Sequence, residues 1–343
     1  MKRSAFLAML FSLAVGMLLN LPASAQSALE KQKISIAVGG KNLFYYLPLT
    51  IAERLSYFKD ESLVVEISDF PGGAKALQAL VGGSADMTSG SFEHTISMQA
   101  KGQSIEAIVL QGRYPAITLG MRKDKAAQYK SGKDLKGMKI GVTAPGSSTN
   151  MFVSNLLAKD GLAPDAVSII GVGATAGAVA AMKKGELDAI SNLDPVIHQL
   201  EAAGDIVAVV DTRTAQGTQQ AYGGAYHAGC IYTTTAFVKK NPNTTQAVVN
   251  AMVRAVRWLQ KATPDQVVAT VPPEYYGDDK ATYKAALQKN LAALSPDGMM
   301  TMEGAKNVYN VLNAFEPSVK AAKIELEKTF DNSFPQKALA KYR

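Results

Sequence analysis

Apolar and polar positions along this chain alternate between two periods, and the alternation sets out a series of strands and helices. Ile34, Ile36 and Val38 recur at every second position within Lys33 to Val38, which predicts a strand ended by Gly39 and Gly40. Leu47, Ile51 and Leu55 then recur at helical spacing, with Pro48 suited to a first turn. The same reasoning predicts strands over 63–67, 85–88, 105–111 and 116–121, and helices over 76–81 and 91–100. A lysine-rich connector at 123–136 shows no clear period. The pattern then restarts with strand 138–142, helix 148–159, strand 167–170, helix 175–183 and strands 187–190 and 206–210. Asp211 to Gly224 is rich in glycine, glutamine and threonine and reads as a second crossing or a mobile loop. A strand-like run at 229–235 precedes a mainly helical region beyond Asn243. There Val248, Met252, Val256 and Leu259 form a stripe suited to core packing.

One phrase occurs twice. KALQALVGGSADMTSGS places Leu77, Leu80, Gly83 and Asp86 where GAVAAMKKGELDAISNL places Val179, Met182, Gly185 and Asp188. Each copy runs from a helix through glycine into a strand that opens on a polar loop, Ser89-Gly90-Ser91 or Ser191-Asn192-Leu193. Strands alternating with helices argue for an α/β fold with mainly parallel sheets. The repeated order predicts two lobes with a ligand cleft between them. Residues 26–121 and 229–343 are assigned to lobe 1 with C-terminal helices, and 122–228 to lobe 2.

The first residues add a location. Lys2 and Arg3, an apolar stretch from Ala5 to Leu21, and Ala23-Ser24-Ala25 form a secretory signal peptide cut after Ala25. Pro22 and the small residues favour cleavage over a membrane anchor. Export is therefore expected, to the periplasm. The formal charge of +7 falls to +5 without Lys2 and Arg3, a modest balance that hints at anionic partners. No basic run interleaved with aromatics points to nucleic acid. Cys230 is the single cysteine, so no internal disulfide forms, and its strand-like setting predicts a buried, inert thiol.

Searches for catalysis find little. There is no GxSxG elbow or HExxH, and His94, His198 and His227 lack metal-ligand spacing, so neither metal nor cofactor is expected and the chain is assigned as a non-enzyme. Ligand candidates stand at strand-to-helix turns, where open α/β sheets place their sites. Ser147, Ser148 and Thr149 begin a helix whose N–H groups favour an anion, though a serine there serves equally as an N-cap. Ser89, Gly90, Ser91 and Glu93 form the matching turn of the first lobe. Glu93 either favours a helix start or, facing the cleft, selects an ammonium or another donor. Asn192 and Asp194 close the second phrase, and Asp194 before Pro195 suits a cap. Asn42, Phe44 and Tyr46 offer a polar tip and apolar walls, Arg113 a forked donor for an anion, and Tyr222 a further wall.

Taken in order, Tyr45-Tyr46-Leu47-Pro48, Tyr57-Phe58-Lys59-Asp60-Glu61, Gly83-x-x-Asp86 and the run from Asp134 to Val142 resemble the periplasmic solute-binding proteins of the nitrate, sulfonate and taurine class of ABC importers. The resemblance implies a type II periplasmic-binding fold of two lobes joined by two hinge crossings. It implies closure on a ligand and docking to a membrane permease, and the chain is expected to act as a monomer that captures a small anion. It also places contacts at the loop after the first strand, at Ser89 to Ser91, at Ser147 to Thr149 and at Asn192. The expected ligand is a sulfonate, taurine, nitrate or related organic acid, with an aromatic or pyrimidine-type ligand as the alternative. Similar enzymes make the pyrimidine of thiamine, but their cysteine-rich iron motif has no counterpart beside Cys230 alone.

Overall fold

A computed structural model describes residues 28–342, so the leader expected at 1–25 lies outside the described residues. Among the described residues, ten strands build two five-stranded sheets. They are β1 (Lys33–Val38), β2 (Val64–Asp69), β3 (Met87–Ser91), β4 (Ile105–Leu110), β5 (Thr118–Arg122), β6 (Lys139–Val142), β7 (Ser168–Gly171), β8 (Ala189–Asn192), β9 (Ile206–Asp211) and β10 (Gly229–Thr234). The sheet orders are β2-β1-β3-β10-β4 and β7-β6-β8-β5-β9. In each, three strands run parallel and an antiparallel strand then enters, β10 beside β3 and β5 beside β8. Both antiparallel strands follow a crossing between lobes. The two halves therefore share one topology, as the repeated phrase implied.

The lobe boundary moves. β5 pairs with β8 through Thr118 opposite Asn192 and with β9 through Leu119 opposite Val210. Lobe 2 thus begins at Thr118 rather than at 122, because the period of a strand reveals that it is buried but not which sheet it joins. The other correction concerns Asp211 to Gly224, which holds a helix, Ala215–Tyr222. Thr214 caps it by accepting the Gly217 N–H, and Gly223, at φ 80°, ends it.

The repeated glycines and aspartates build the scaffold. Gly83 and Gly185 both adopt left-handed backbone, φ 76° and 72°, where each helix turns into its strand. Asp86 accepts the Ser35 N–H at 2.9 Å and faces the Lys31 ammonium. Asp188 accepts the Lys139 N–H at 2.8 Å and pairs with Lys125 at 2.5 Å. Each carboxylate thus pins the entry of the neighbouring strand. Burial opposes the charge on Asp188, but its bonds to Lys125 and Lys139 outweigh that and hold the carboxyl below its ordinary value. Asp188→Ala is expected to lower stability by about 2 kcal/mol at neutral pH, the range for a hydrogen-bonded charge. A depressed carboxyl stabilises above its unfolded pKa, so the difference should shrink as the solution is acidified. Urea denaturation at two pH values measures both, and equal neutral-pH midpoints would rule out the anchoring role.

Helices cover both sheets. Every residue of β3 is buried, as in a strand enclosed on both faces. The predicted stripe of Val248, Met252, Val256 and Leu259 lies buried on the helix Pro242–Leu259.

Candidate functional site

The two lobes meet face to face. The Asn42 amide donates to the Ala174 carbonyl at 3.2 Å, and the Phe44 N–H donates to the Asp194 carbonyl at 3.1 Å. Ser147 Oγ accepts the Ala74 N–H at 3.0 Å, and His94 Nε2 lies 3.4 Å from the Gly146 carbonyl. Small residues allow the approach. A Cβ on Gly72, at φ 104°, would stand 2.8 Å from the Ala144 Cβ, and one on Gly40 would stand 2.8 Å from that of Ala174. These contacts describe a closed arrangement.

Inside it, three predicted side chains share a feature. Ser91 Oγ, Glu93 Oε2 and the Tyr222 hydroxyl are buried polar atoms with no hydrogen-bond partner in the protein. Such atoms are costly unless something satisfies them. Glu93 opens the helix Glu93–Ala100, and its other oxygen accepts the Tyr226 hydroxyl at 3.1 Å. Burial pushes its carboxyl up to about 7, with a smaller contribution from the Glu316 charge, against the lowering effect of its own N–H and Tyr226. Rings enclose the group. Tyr222 and Tyr226 stack at 3.9 Å, Phe152 lies 5.7 Å from Tyr222, and the Tyr45 ring lies against Gly229, which is paired opposite Ser91.

The other predicted residues divide by what they touch. Tyr46 is buried with its hydroxyl near Gly73, and its pKa is raised by burial. Ser148 is buried on the helix Ser148–Lys159, one turn before Phe152. Ser147 holds Ala74 across the cleft, and Asn42 lines a groove of about 560 Å³ at the interlobe rim with Asp69 and Tyr275. Several are held by the scaffold. Ser89 bonds Gln111, Gly90 lies against the Tyr232 ring, Thr149 bonds Thr143, and Asn192 bonds the Gly173 carbonyl. Phe44 packs edge-on against Tyr283 at 4.8 Å. Asp194 is bound by Arg213, Asn290 and the His198 N–H.

Arg113 stands apart from this cluster. Its Nε donates to the Ala292 carbonyl at 2.9 Å and its guanidinium lies 5.2 Å from the Tyr114 ring centre. Arg113→Ala should change ligand affinity less than twofold by calorimetry, and a tenfold loss would return Arg113 to the site.

Tyr226, His94 and Phe152 also border the cluster or the lobe contact and are not among the predicted residues. Tyr226 follows Tyr222 by four positions, a spacing that could have flagged it. Cys230 is fully buried, and burial pushes its thiol up, which fits the expected inert role. Another groove, of about 670 Å³, runs between Tyr129 and Gln220 on lobe 2 and includes none of the predicted residues. Among the described residues no His, Cys, Asp and Glu cluster has metal-ligand geometry, and no helix is long and apolar enough to cross a membrane.

A family model described as NMT1/THI5 like matches residues 43–266. A solved structure from Bordetella bronchiseptica RB50 is 55% identical, with a TM-score of 0.89 over 92% of this chain and 99% of that one. The alkanesulfonate-binding protein SsuA of Xanthomonas axonopodis pv. citri, bound to MOPS, is 19% identical. Its TM-score is 0.67 over 89% of this chain and 100% of SsuA. The same fold serves the desulfurization enzyme DSZB, 15% identical with a TM-score of 0.55 over 90% of this chain and 100% of that one.

Proposed function

Because this chain belongs to the NMT1/THI5-like family, we propose that it is an exported solute-binding component of an ABC importer. It captures a small organic ligand between its lobes and hands it to a membrane permease, acting as a monomer. The observation that carries this reading is the closure of two lobes over Ser91 Oγ, Glu93 Oε2 and the Tyr222 hydroxyl, buried polar atoms that the protein leaves without a geometrically sound hydrogen bond. A ligand that satisfies these atoms while touching both lobes favours the closed state, and only such differential contact shifts the population.

An organic acid is the class we favour. The helix Ser148–Lys159 opens towards the lobe interface, and the first N–H groups of a helix lack intrahelical partners and favour negative charge. The SsuA relative is named for alkanesulfonates, which supports a sulfonate or related acid. A flat aromatic ligand is the second reading, favoured by Tyr45, Tyr222 and Tyr226 around the same atoms.

Ligand carried through gentle purification, identified by mass spectrometry and retested by thermal shift, examines the proposal. The panel holds sulfonates, nitrate, carboxylates and pyrimidines. Stabilisation by acids supports the first reading, and stabilisation by neutral aromatics alone replaces it with the second. Because DSZB shares the fold, the recovered ligand is also checked for chemical change, and turnover would make the protein an enzyme.

A further inference from the structure

We propose that the ligand carries an amine, and that Glu93, flanked by the hydroxyls of Ser91 and Tyr222, is its counter-group. This deepens the solute-binding reading above and rests on it. Glu93 is 1% exposed, and Oε2 has no protein partner. Once ionised, the carboxylate only accepts, and the partner it then lacks is a donor. The Tyr222 hydroxyl is unpartnered as well, and Ser91 Oγ, whose one near neighbour is the Tyr45 hydroxyl, keeps acceptor capacity; both can accept remaining hydrogens of an ammonium.

The surroundings point the same way. The titratable groups that act on Glu93 or feel its charge are Tyr226, Tyr222, Tyr45 and Tyr46, Cys230 of β10, Tyr232 beyond it, and Glu316. His94, next on the helix, is turned to Tyr232 and Gly146. Among these groups there is one further acid and no lysine or arginine. A ligand that is only an anion would add negative charge beside an acid, whereas an amine supplies the missing positive charge. The class is therefore an amine-bearing small organic acid.

Glu93 gives the test a sign. Its carboxyl lies at about 7, so it must lose a proton to face an ammonium. Amine binding should tighten about tenfold between pH 6 and pH 8, as the ionised fraction of such a group rises from roughly a tenth to nine-tenths. A nitrogen-free acid, accepting a hydrogen bond from neutral Glu93, would instead weaken over the same range.

The experiment uses matched probes on the full mature protein: taurine against ethanesulfonate, γ-aminobutyrate against butyrate, and tyramine against 4-ethylphenol. It also includes amine labelling of any ligand carried through purification. The expected result is that the aminated member of a pair, or a carried ligand with a labelled amine, raises Tm. Glu93→Gln should weaken that ligand at least tenfold and remove the rise with pH, and Tyr222→Phe should weaken it less. Equal binding by deaminated partners, a carried ligand without nitrogen, or affinity falling with pH would overturn the amine while leaving solute binding intact. If nothing stabilises the protein and nothing is carried, both proposals fall.

Discussion

Replacing Arg213 with methionine should cost about 3–5 kcal/mol of stability, the range for removing one partner of a buried ion pair. Its guanidinium is 5% exposed and meets three carboxylates. Nε lies 2.9 Å from both Asp211 oxygens, Nη1 lies 3.1 Å from Asp194, and Glu201 accepts at 3.1 and 3.2 Å. Burial opposes the charge on Glu201, but bonds from Arg213 outweigh it and hold that carboxyl below its ordinary value. Asp194 suffers most from the loss, because its side chain is fully buried. The same aspartate joins the lobes, since Asn290 donates to it at 2.5 Å and the Phe44 N–H reaches its carbonyl. A drop in Tm of roughly 10 °C is expected for a chain of this size. Adding Asp194→Asn should restore part of the loss by removing the uncompensated charge. A loss under 1 kcal/mol in urea denaturation would show that the cluster adds nothing beyond packing.

Local physics made much of the fold legible. β1 and the helix Ser148–Lys159 match their expected bounds because periodicity and glycine signals agree there, although Ser147 bonds Ala74 rather than capping the helix. The repeated phrase was informative for a structural reason, since Asp86 and Asp188 do the same work in two sheets of the same order. The partner of a strand is harder to see. The sequence alone assigns β5 to lobe 1, whereas it joins the second sheet, because sheet membership depends on where the chain crosses, not on the residues of the strand. The partner each side chain meets is the main limit at the site. Ser89 and Ser91 lie two residues apart on one strand, yet Ser89 is bonded to Gln111 and Ser91 is left without a partner. Asp194 and Glu93 posed the same question, cap or cleft. Arg213, from a segment expected to be loop, holds Asp194, whereas no such cation pairs with Glu93. Those answers come from residues distant in sequence.

Glu93→Gln should flatten the pH dependence of stability in the ligand-free protein. The native carboxyl lies at about 7, above the unfolded value of 4.5, so the native state holds its proton over a range where the unfolded chain has lost it. Stability from this group is therefore complete below about 4.5 and declines as pH rises through 7, the opposite of Asp188. At 1.36 kcal/mol per pKa unit, the full decline is roughly 3 kcal/mol. Glutamine keeps an acceptor for the Tyr226 hydroxyl and carries no charge to bury. Wild type and variant should thus match near pH 4.5, and the variant should be the more stable by up to roughly 3 kcal/mol at pH 8.5. Urea midpoints at pH 4.5, 6.5 and 8.5 measure this on protein stripped of ligand, and parallel curves would place Glu93 in contact with water. The result bears on function. A binding site that weakens its own unliganded closed state at neutral pH, through an unpaired carboxylate, leaves closure to depend on a ligand that supplies the partner.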